Sequence, residues 1–278
     1  MTLLLPATTK RTTATMLSKT GAASLRRHQQ HPYRRRSVLS TTIASLLVCR
    51  YYGSDPIAVE GLKVAVITGT TRTSGPPNPV VGPRVAAFVS DRLQQRGHTV
   101  TVVDPREEVA VPLLEKPYFA YAKSRVPAEL QRLQDTFTEA DAYVAITPEY
   151  NHAPSPGLLN ILNHYGSSTF GFKPSAIVSY SQGQWGGTRA AQALRPILSE
   201  LGCIPVSAMV HVPKAHTVFD EGGKVVDKEE EDQWTSYVDR CLSQLEWWGE
   251  AAKQHRTNVD PYKQSPAFTK APSQRNAP

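Results

Sequence analysis

"AYVAITPEYNHAPSPGLLN", residues 142–160, joins a strand, an unusual loop and the start of a helix in one stretch. The apolar run at 142–146 predicts a buried strand, and Pro156 suits the first turn of a helix, where no N–H is needed. The loop between them holds Pro148, Glu149, Tyr150, Asn151 and Pro154. A plain connection requires only Gly, Asp or Ser, so this loop is predicted to form a rigid wall against a ligand.

The same strand-then-helix pattern is repeated on both sides of this stretch. Apolar, β-branched runs predict further strands at 62–68, 98–104, 174–180 and 203–212. Amphipathic patterns predict helices at 82–97, 127–140, 187–202 and 229–256, and Pro196 is expected to bend or split the third. Strands that alternate with helices favour one parallel sheet covered on both faces. Five strands in about 200 residues predict a flavodoxin-like three-layer α/β sandwich, with a five-stranded parallel sheet of order 2-1-3-4-5.

The net charge of +7 comes from the N-terminal segment. Residues 1–54 contain nine Lys or Arg and no Asp or Glu, which leaves 22 basic residues against 24 acidic ones in the rest of the chain. Residues 55–278 therefore carry a net charge of about −2. A domain this close to neutral lacks the basic surface that binding to a phosphate backbone requires. The composition therefore argues against a nucleic-acid partner.

Residues 1–58 are predicted to be a targeting presequence and are left out of the fold. They are rich in Ser, Thr, Ala and Arg, as organellar transit peptides are, and three arginines at 34–36 precede an apolar run at 38–48. That run is too short for a membrane span and suits the h-region of a twin-arginine signal. A single mitochondrial or plastid presequence is the simpler interpretation, and a plastid is the favoured destination. The Pro-rich segment 257–278 is predicted to be a disordered tail, which leaves 59–256 as one flavodoxin-like domain.

In a sheet of this order, ligands bind past the carboxyl ends of the strands, beside strand 1. Loops after the first, third and fourth strands meet there. The first, "TGTTRTSGPPNPVVG" at 68–82, offers anion-binding groups ahead of a helix: Thr70, Thr71, Arg72, Thr73 and Ser74. It lacks both the P-loop and the dinucleotide patterns. A phosphate on a mononucleotide is the prediction, and a solvated polar loop is the alternative.

The other two loops offer surfaces that a flat ligand approaches closely. The loop "SYSQGQWGGTRA" at 179–190 has three glycines that permit close approach, although a mobile turn would carry the same residues. They are Gly183, Gly186 and Gly187. In the loop after the third strand, Tyr150 and Asn151 would face a ring edge, and Glu149 would either join them or cap the helix at 154–164. An anion site beside two flat walls favours a flavin mononucleotide.

"TPEYN" after the third strand, "PGLLNILNH" in the next helix and "SYSQGQWGGTRAAQALRPILSELG" after the fourth strand resemble the NADPH-dependent FMN reductase family. The resemblance covers residues 62 to about 250. It implies a flavodoxin-like fold, bound FMN, and electron transfer from NADPH or NADH to flavins, quinones, azo dyes or metal oxyanions. It also implies a homodimer or homotetramer as the default assembly.

Carried over position by position, the resemblance implies a cofactor site on all three loops. The implied phosphate loop is Thr70, Arg72 and Ser74. The implied ring walls are Pro148, Glu149, Tyr150 and Asn151 on one side, and Ser181, Gln182, Gly183, Gly186 and Gly187 on the other. The first loop departs from the family, because "SGPPNPVVG" at 74–82 carries an insertion and lacks a basic residue that is usual before Val-Gly.

The resulting hypothesis is an FMN-dependent NAD(P)H oxidoreductase that passes electrons to a flavin, quinone or similar acceptor, with ping-pong kinetics. The flavin does the chemistry, so no catalytic acid or base is named, and His152 is interpreted as a solvated loop residue. Cys203 and Cys241 lack metal-ligand spacing, and no metal is expected. The alternative is a flavodoxin-like electron carrier or FMN-binding module without NAD(P)H turnover, which the near-neutral body disfavours.

Overall fold

The computed structural model describes residues 61–76, 78–107 and 111–264. The strands are β1 (Lys63–Thr68), β2 (Thr99–Val103), β3 (Ala142–Tyr150), β4 (Ala153–Pro154), β5 (Pro174–Tyr180), β6 (Ile204–Pro205) and β7 (Val210–Val212). The helices are α1 (Gly82–Gln95), α2 (Ala128–Glu139), α3 (Pro156–Asn163), α4 (Ser167–Phe170), α5 (Thr188–Glu200), α6 (Ala215–Val218), α7 (Glu231–Asn258) and α8 (Pro261–Gln264). The predicted presequence lies outside the described residues. In the described part of the chain, no helix combines the length and the apolar character that crossing a membrane requires.

The sheet has the predicted strand order. β2, β1, β3 and β5 pair side by side in parallel, and both β6 and β7 pair with β5 in parallel at the far edge. Together β6 and β7 occupy the place of the predicted fifth strand, so the flavodoxin-like order 2-1-3-4-5 is confirmed. β4 is a short addition that pairs antiparallel with the end of β3, and the sequence patterns did not predict it.

The predicted strand at 203–212 is interrupted because other groups take its backbone partners. Pro205 has no N–H to donate to the ladder. The Arg195 guanidinium donates to the carbonyls of residues 205–207 at 3.1, 2.8 and 3.2 Å. The prediction of one continuous strand is therefore wrong over residues 206–209.

The side chains of the central strands alternate between two apolar cores, one on each face of the sheet. Val64 and Val66 of β1 face the core that α1 and α7 cover. Ala65 and Ile67 face the core that α2, α3 and α5 cover. All four side chains are buried, as expected for a parallel strand with helices on both sides. The predicted three layers follow from this alternation.

Helix α5 continues through Pro196 without a break from Thr188 to Glu200. The proline removes one hydrogen bond, the one that the carbonyl of Gln192 would accept. Both Gln192 and Pro196 are exposed, so the Gln192 carbonyl is open to solvent. The helix is not split at Pro196, and that part of the prediction is wrong.

Ordered structure extends past residue 256, where the sequence suggested a tail. Helix α7 ends at Asn258, and α8 follows it. The Tyr262 ring of α8 packs edge-on against Phe172, and its hydroxyl donates to the carbonyl of Ser167 at 3.3 Å. These contacts correct the predicted boundary to residue 264 or beyond; residues 265–278 lie outside the described part of the chain.

A partly buried ion-pair cluster joins the end of α1 and the start of β2 to α7. The Arg96 guanidinium donates two hydrogen bonds to the Glu246 carboxylate, and His98 Nε2 lies 2.9 Å from Glu246 Oε1. Burial alone raises the pKa of Glu246, but the hydrogen bonds and charges of Arg96 and His98 outweigh burial and lower the pKa to about 2. The carboxylate is therefore more stable as an anion in the folded chain than in the unfolded chain.

We expect Glu246→Gln to lower the free energy of unfolding at pH 7 by about 2 kcal/mol. Because the folded-state pKa of Glu246 lies below its ordinary value of 4.5, its stabilisation is present above pH 4.5 and is lost as the pH falls towards 2. Urea unfolding between pH 7 and pH 2 measures this, and the difference between wild type and variant should shrink over that range. Glu250→Gln on the same helix is the matched control. A difference that does not change with pH would contradict this account.

Candidate active site

The carboxyl ends of β1, β3 and β5 meet at one edge of the sheet. Thr68 of β1 pairs with Ile146 of β3, and Pro148 of β3 pairs with Tyr180 of β5. The loops that leave these strands enclose a cavity of about 310 Å³, within the range of small-molecule sites. Its lining residues are Thr70, Arg72, Pro79, Val80, Val81, Pro148, Glu149, Tyr150, Tyr180, Ser181, Gln182 and Gly183. The three loops predicted to form a site therefore share one cavity.

Most of the predicted site residues line this cavity, and a smaller group does not. The residues that line it are Thr70, Arg72, Pro148, Glu149, Tyr150, Ser181, Gln182 and Gly183. Those outside the lining are Ser74, Asn151, Gly186 and Gly187. The lining also contains residues that sequence reasoning missed, namely Pro79, Val80, Val81 and Tyr180. Tyr180 ends a predicted strand at its carboxyl edge, and that position was the available signal.

The first loop is folded around Arg72. The guanidinium donates to the carbonyl of Ser74 at 3.4 Å and to the carbonyl of Gly75, and the backbone N–H donates to Thr70 Oγ1 at 3.4 Å. Ser74 therefore supports the loop through its carbonyl and does not face the ligand space. Residues 79–81 of the inserted stretch line the cavity just before α1, so the insertion contributes to the wall.

Helix α1 begins directly beside the cavity, at Gly82. A Cβ on Gly82 would lie 2.5 Å from Thr70 Cγ2 and 2.6 Å from the Tyr180 hydroxyl oxygen. These distances are too short for any side chain, so glycine is required for the helix to start this close. The positive end of the helix dipole favours an anion at this end of the cavity.

Hydrogen bonds of Ser155 connect the second loop to the first. Its backbone N–H donates to Thr147 Oγ1 at 2.9 Å, and its hydroxyl donates to the Gly69 carbonyl at 2.7 Å. The same hydroxyl oxygen caps α3 by accepting the Leu158 N–H at 3.4 Å. The wall that the prolines predicted is thus also held by buried hydrogen bonds.

Asn151 and His152 form the two-residue turn between β3 and β4. Their φ angles are 51° and 64°, and Tyr150 pairs with Ala153 across the turn. Two-residue hairpin turns prefer this left-handed backbone, which asparagine adopts more readily than most residues. Both side chains are exposed and lie outside the cavity lining. The Asn151 amide predicted to face a ring edge instead shapes the turn.

Glu149 caps a helix, but a different one from the helix that was predicted. Its Oε2 accepts the backbone N–H groups of Arg189 and Ala190 at 3.0 and 3.2 Å, and its Oε1 accepts from Arg189 Nη1 at 3.2 Å. Glu149 therefore caps α5, because β3 lies next to β5 and Ser155 already caps α3. The carboxylate thereby ties the second loop to the third.

Gly186 and Gly187 are required by the backbone around them. Their φ angles are 60° and 78°, in the region that favours glycine. A Cβ on Gly186 would lie 2.9 Å from Pro213 N, and a Cβ on Gly187 would lie 2.9 Å from Ser179 Cβ and 3.0 Å from Tyr180 N. The backbone at Gly186 and Gly187 does come close to another surface, as predicted, but that surface is β5 and the chain that follows β7. Neither glycine lines the cavity.

The third loop is held from both sides. Gln182 Nε2 donates to the Asn78 carbonyl at 3.4 Å, which connects this loop to the first. Behind the loop, the Ser179 hydroxyl donates to the Gly186 carbonyl at 2.8 Å and lies 2.8 Å from His211 Nδ1. Burial, followed by the charge of Arg240, lowers the pKa of His211. A neutral imidazole therefore supports this loop near neutral pH.

The cavity combines two kinds of lining. Thr70, Tyr180 and Arg72 provide hydrogen-bond donors for an anion, and the start of α1 adds the positive end of its dipole. Pro148, Tyr150 and the backbone at Gly183 provide a wall with few charged groups. This combination fits a ligand with a phosphate at one end and a flat ring at the other, as FMN has. Within the part of the chain that the structure describes, there is no group of three or more His, Cys, Asp or Glu side chains that could hold a metal ion.

Sequence comparison finds similar proteins of known activity. The profile of the family described as NADPH-dependent FMN reductase matches residues 62–217. A quinone reductase of Pseudomonas putida is 32% identical over 108 residues, which cover 37% of this chain and 58% of that enzyme. An NAD(P)H-dependent FMN reductase of Pseudomonas aeruginosa is 28% identical over 142 residues, which cover 50% of this chain and 73% of that protein. The match to the P. putida enzyme thus spans less than two thirds of its length.

Structural comparison supports the fold. FerB, a flavoenzyme NAD(P)H:(acceptor) oxidoreductase from Paracoccus denitrificans, superimposes with a TM-score of 0.52 at 21% sequence identity. The superposition covers 66% of this chain and 97% of FerB. At this identity, the likeness establishes that the two chains share a fold.

Proposed function

The chain belongs to the NADPH-dependent FMN reductase family, and from this premise we propose that it is an FMN-dependent NAD(P)H oxidoreductase that reduces a quinone, a flavin or a similar acceptor. One observation carries the proposal: the loops after β1, β3 and β5 line a single cavity with an anion-binding end and a flat wall. A fold without such a cavity would support membership of the family but not this activity.

Thr70, Arg72 and the start of α1 would hold the phosphate of FMN. Arg72 brings the positive charge, Thr70 a buried hydroxyl, and the helix the positive end of its dipole. Because Arg72 also binds the carbonyls of Ser74 and Gly75, the guanidinium is oriented before any ligand arrives. Such preorganisation reduces the entropy lost on binding.

Pro148, Tyr150 and residues 181–183 would hold the ring system of FMN. Their positions depend on buried bonds: Ser155 to Gly69 for the second loop, and Glu149 to the start of α5 between the second and third loops. Bound FMN would supply the chemistry, which is to accept a hydride from a nicotinamide and deliver electrons to a second substrate. The chain's own part is to bind, to orient and to leave one ring face accessible.

The acceptor is proposed from the relatives. Their names include quinone reductase, NADPH azoreductase and NADH:(hydroxy)cinnamate reductase subunit. A quinone is the acceptor class that recurs among them, so a soluble benzoquinone is the substrate to test first. A homodimer or homotetramer and a plastid location stay predictions.

The experiment uses the full chain loaded with FMN and freed of excess flavin. Under nitrogen, NADPH or NADH is expected to bleach the flavin absorbance, and a soluble benzoquinone is then expected to restore it. Steady-state rates with both substrates should give parallel double-reciprocal lines, as ping-pong kinetics require. The chain without FMN is the control. Flavin that binds but bleaches with neither nucleotide would contradict the proposal and favour an electron carrier.

A further inference from the structure

Tyr180 is a buried tyrosine at the anion-binding end of the cavity. It is 6% exposed and lines the cavity with Thr70 and Arg72. A Cβ on Gly82, at the start of α1, would lie 2.6 Å from the Tyr180 hydroxyl oxygen and 2.5 Å from Thr70 Cγ2, so Tyr180, Thr70 and the start of α1 adjoin one another. The phenol therefore lies between the two elements expected to bind a phosphate.

The Tyr180 hydroxyl keeps its proton, and so it is available as a donor. Burial, and then the neighbouring Tyr150, raise the pKa of the Tyr180 phenol well above its usual value. The neighbouring Thr70 hydroxyl and the charges of Arg106 and Arg72 only partly oppose this rise. Near neutral pH the group is therefore a neutral hydroxyl that can donate to an anion.

Few charged donors are available to a phosphate in this cavity. Among the described residues that line it, Arg72 is the single base, while Val80 and Val81 occupy the positions just before α1. A phosphate group carries three oxygens that each accept more than one hydrogen bond. A second hydroxyl beside Thr70 would therefore find an acceptor on the bound phosphate.

From this geometry we propose that the Tyr180 hydroxyl donates to the FMN phosphate and sets the preference of the site for FMN over riboflavin. The inference rests on the proposed function, because it assumes that FMN occupies the cavity. It adds a residue that neither the loop motifs nor the resemblance assigned. The competing explanation is that the buried Tyr180 side chain only stabilises the fold through its packing against Thr70 and Gly82.

The test compares the affinities of the full chain for FMN and for riboflavin, which lacks the phosphate. Tyr180→Phe removes the hydroxyl and keeps the ring. We expect the Kd for FMN to rise about tenfold and the Kd for riboflavin to stay within about twofold. Tyr165→Phe is the matched control, since this buried tyrosine donates to the Leu130 carbonyl at 2.9 Å and does not line the cavity. It should leave both affinities unchanged.

The outcomes separate the two claims. Equal losses for both flavins, or no loss for FMN, would overturn the role of Tyr180 while leaving the proposed function intact. Wild-type chain that binds neither flavin would overturn both. Thermal unfolding checks that Tyr180→Phe is folded.

Discussion

Replacing Gly187 with alanine is expected to lower the free energy of unfolding by about 3 kcal/mol and to abolish retention of FMN. Gly187 has a φ of 78°, which strains any residue with a Cβ. The new Cβ would also lie 2.9 Å from Ser179 Cβ and 3.0 Å from Tyr180 N. To relieve these close contacts, the third loop would have to move away from β5. The cavity wall formed by residues 181–183 would move with it.

Gly183→Ala is the matched control for this variant, because it changes a glycine in the same loop. Gly183 does not have a positive φ, and among the described residues a Cβ there would first meet Ser181 Oγ at 3.9 Å. Its unfolding free energy should stay within about 0.5 kcal/mol of wild type. Urea unfolding compares the stability of both variants, and FMN content after gel filtration compares Gly187→Ala with wild type, because Gly183 itself lines the cavity. If both substitutions lowered the unfolding free energy equally, the position of the loop would not depend on the backbone contacts of Gly187.

Replacing Arg72 with alanine is expected to weaken FMN binding about 100-fold and to leave riboflavin binding within about threefold of wild type. Arg72 is the base that lines the cavity, and its guanidinium is held by the carbonyls of Ser74 and Gly75. Removing it takes away charge-assisted hydrogen bonds that only a phosphorylated flavin would use. Fluorescence titration with each flavin measures the two affinities.

Arg72→Lys separates the charge from the geometry. A lysine keeps the positive charge but cannot hold two carbonyls and a phosphate with one planar group. Its FMN affinity is expected to fall between those of wild type and Arg72→Ala. If Arg72→Ala weakens both flavins equally, the residue serves only to fold the first loop, and the assignment of the phosphate end is wrong.

The fold was predictable from the sequence because its central strands are buried on both faces. Runs such as 64–67 and 142–146 are apolar without interruption, and their alternation with helices indicates a parallel sheet. The split of the fifth strand was not predictable, since it depends on the Arg195 side chain reaching three carbonyls from a neighbouring helix. A local pattern carries no information on such a tertiary contact.

The site was predictable at the level of its loops and less so at the level of single residues. Topology alone brings the three loops to one sheet edge, and Thr70 and Arg72 line the cavity as expected. Glycine and asparagine, however, have several structural uses. Gly187 meets the backbone of β5 rather than the cavity, and Asn151 supports a left-handed turn. Only three-dimensional packing distinguishes those uses from contact with a ligand.

The most direct test of the central claim is equilibrium dialysis of the full chain against FMN, with wild type and Arg72→Ala in parallel. The central claim is that the three loops form one FMN site whose phosphate end is Arg72. The expected result is one FMN bound per wild-type chain at saturation, with the absorbance bands of a protein-bound flavin, and about 100-fold weaker binding by the variant. No bound FMN, or FMN bound equally well by both proteins, would contradict the account.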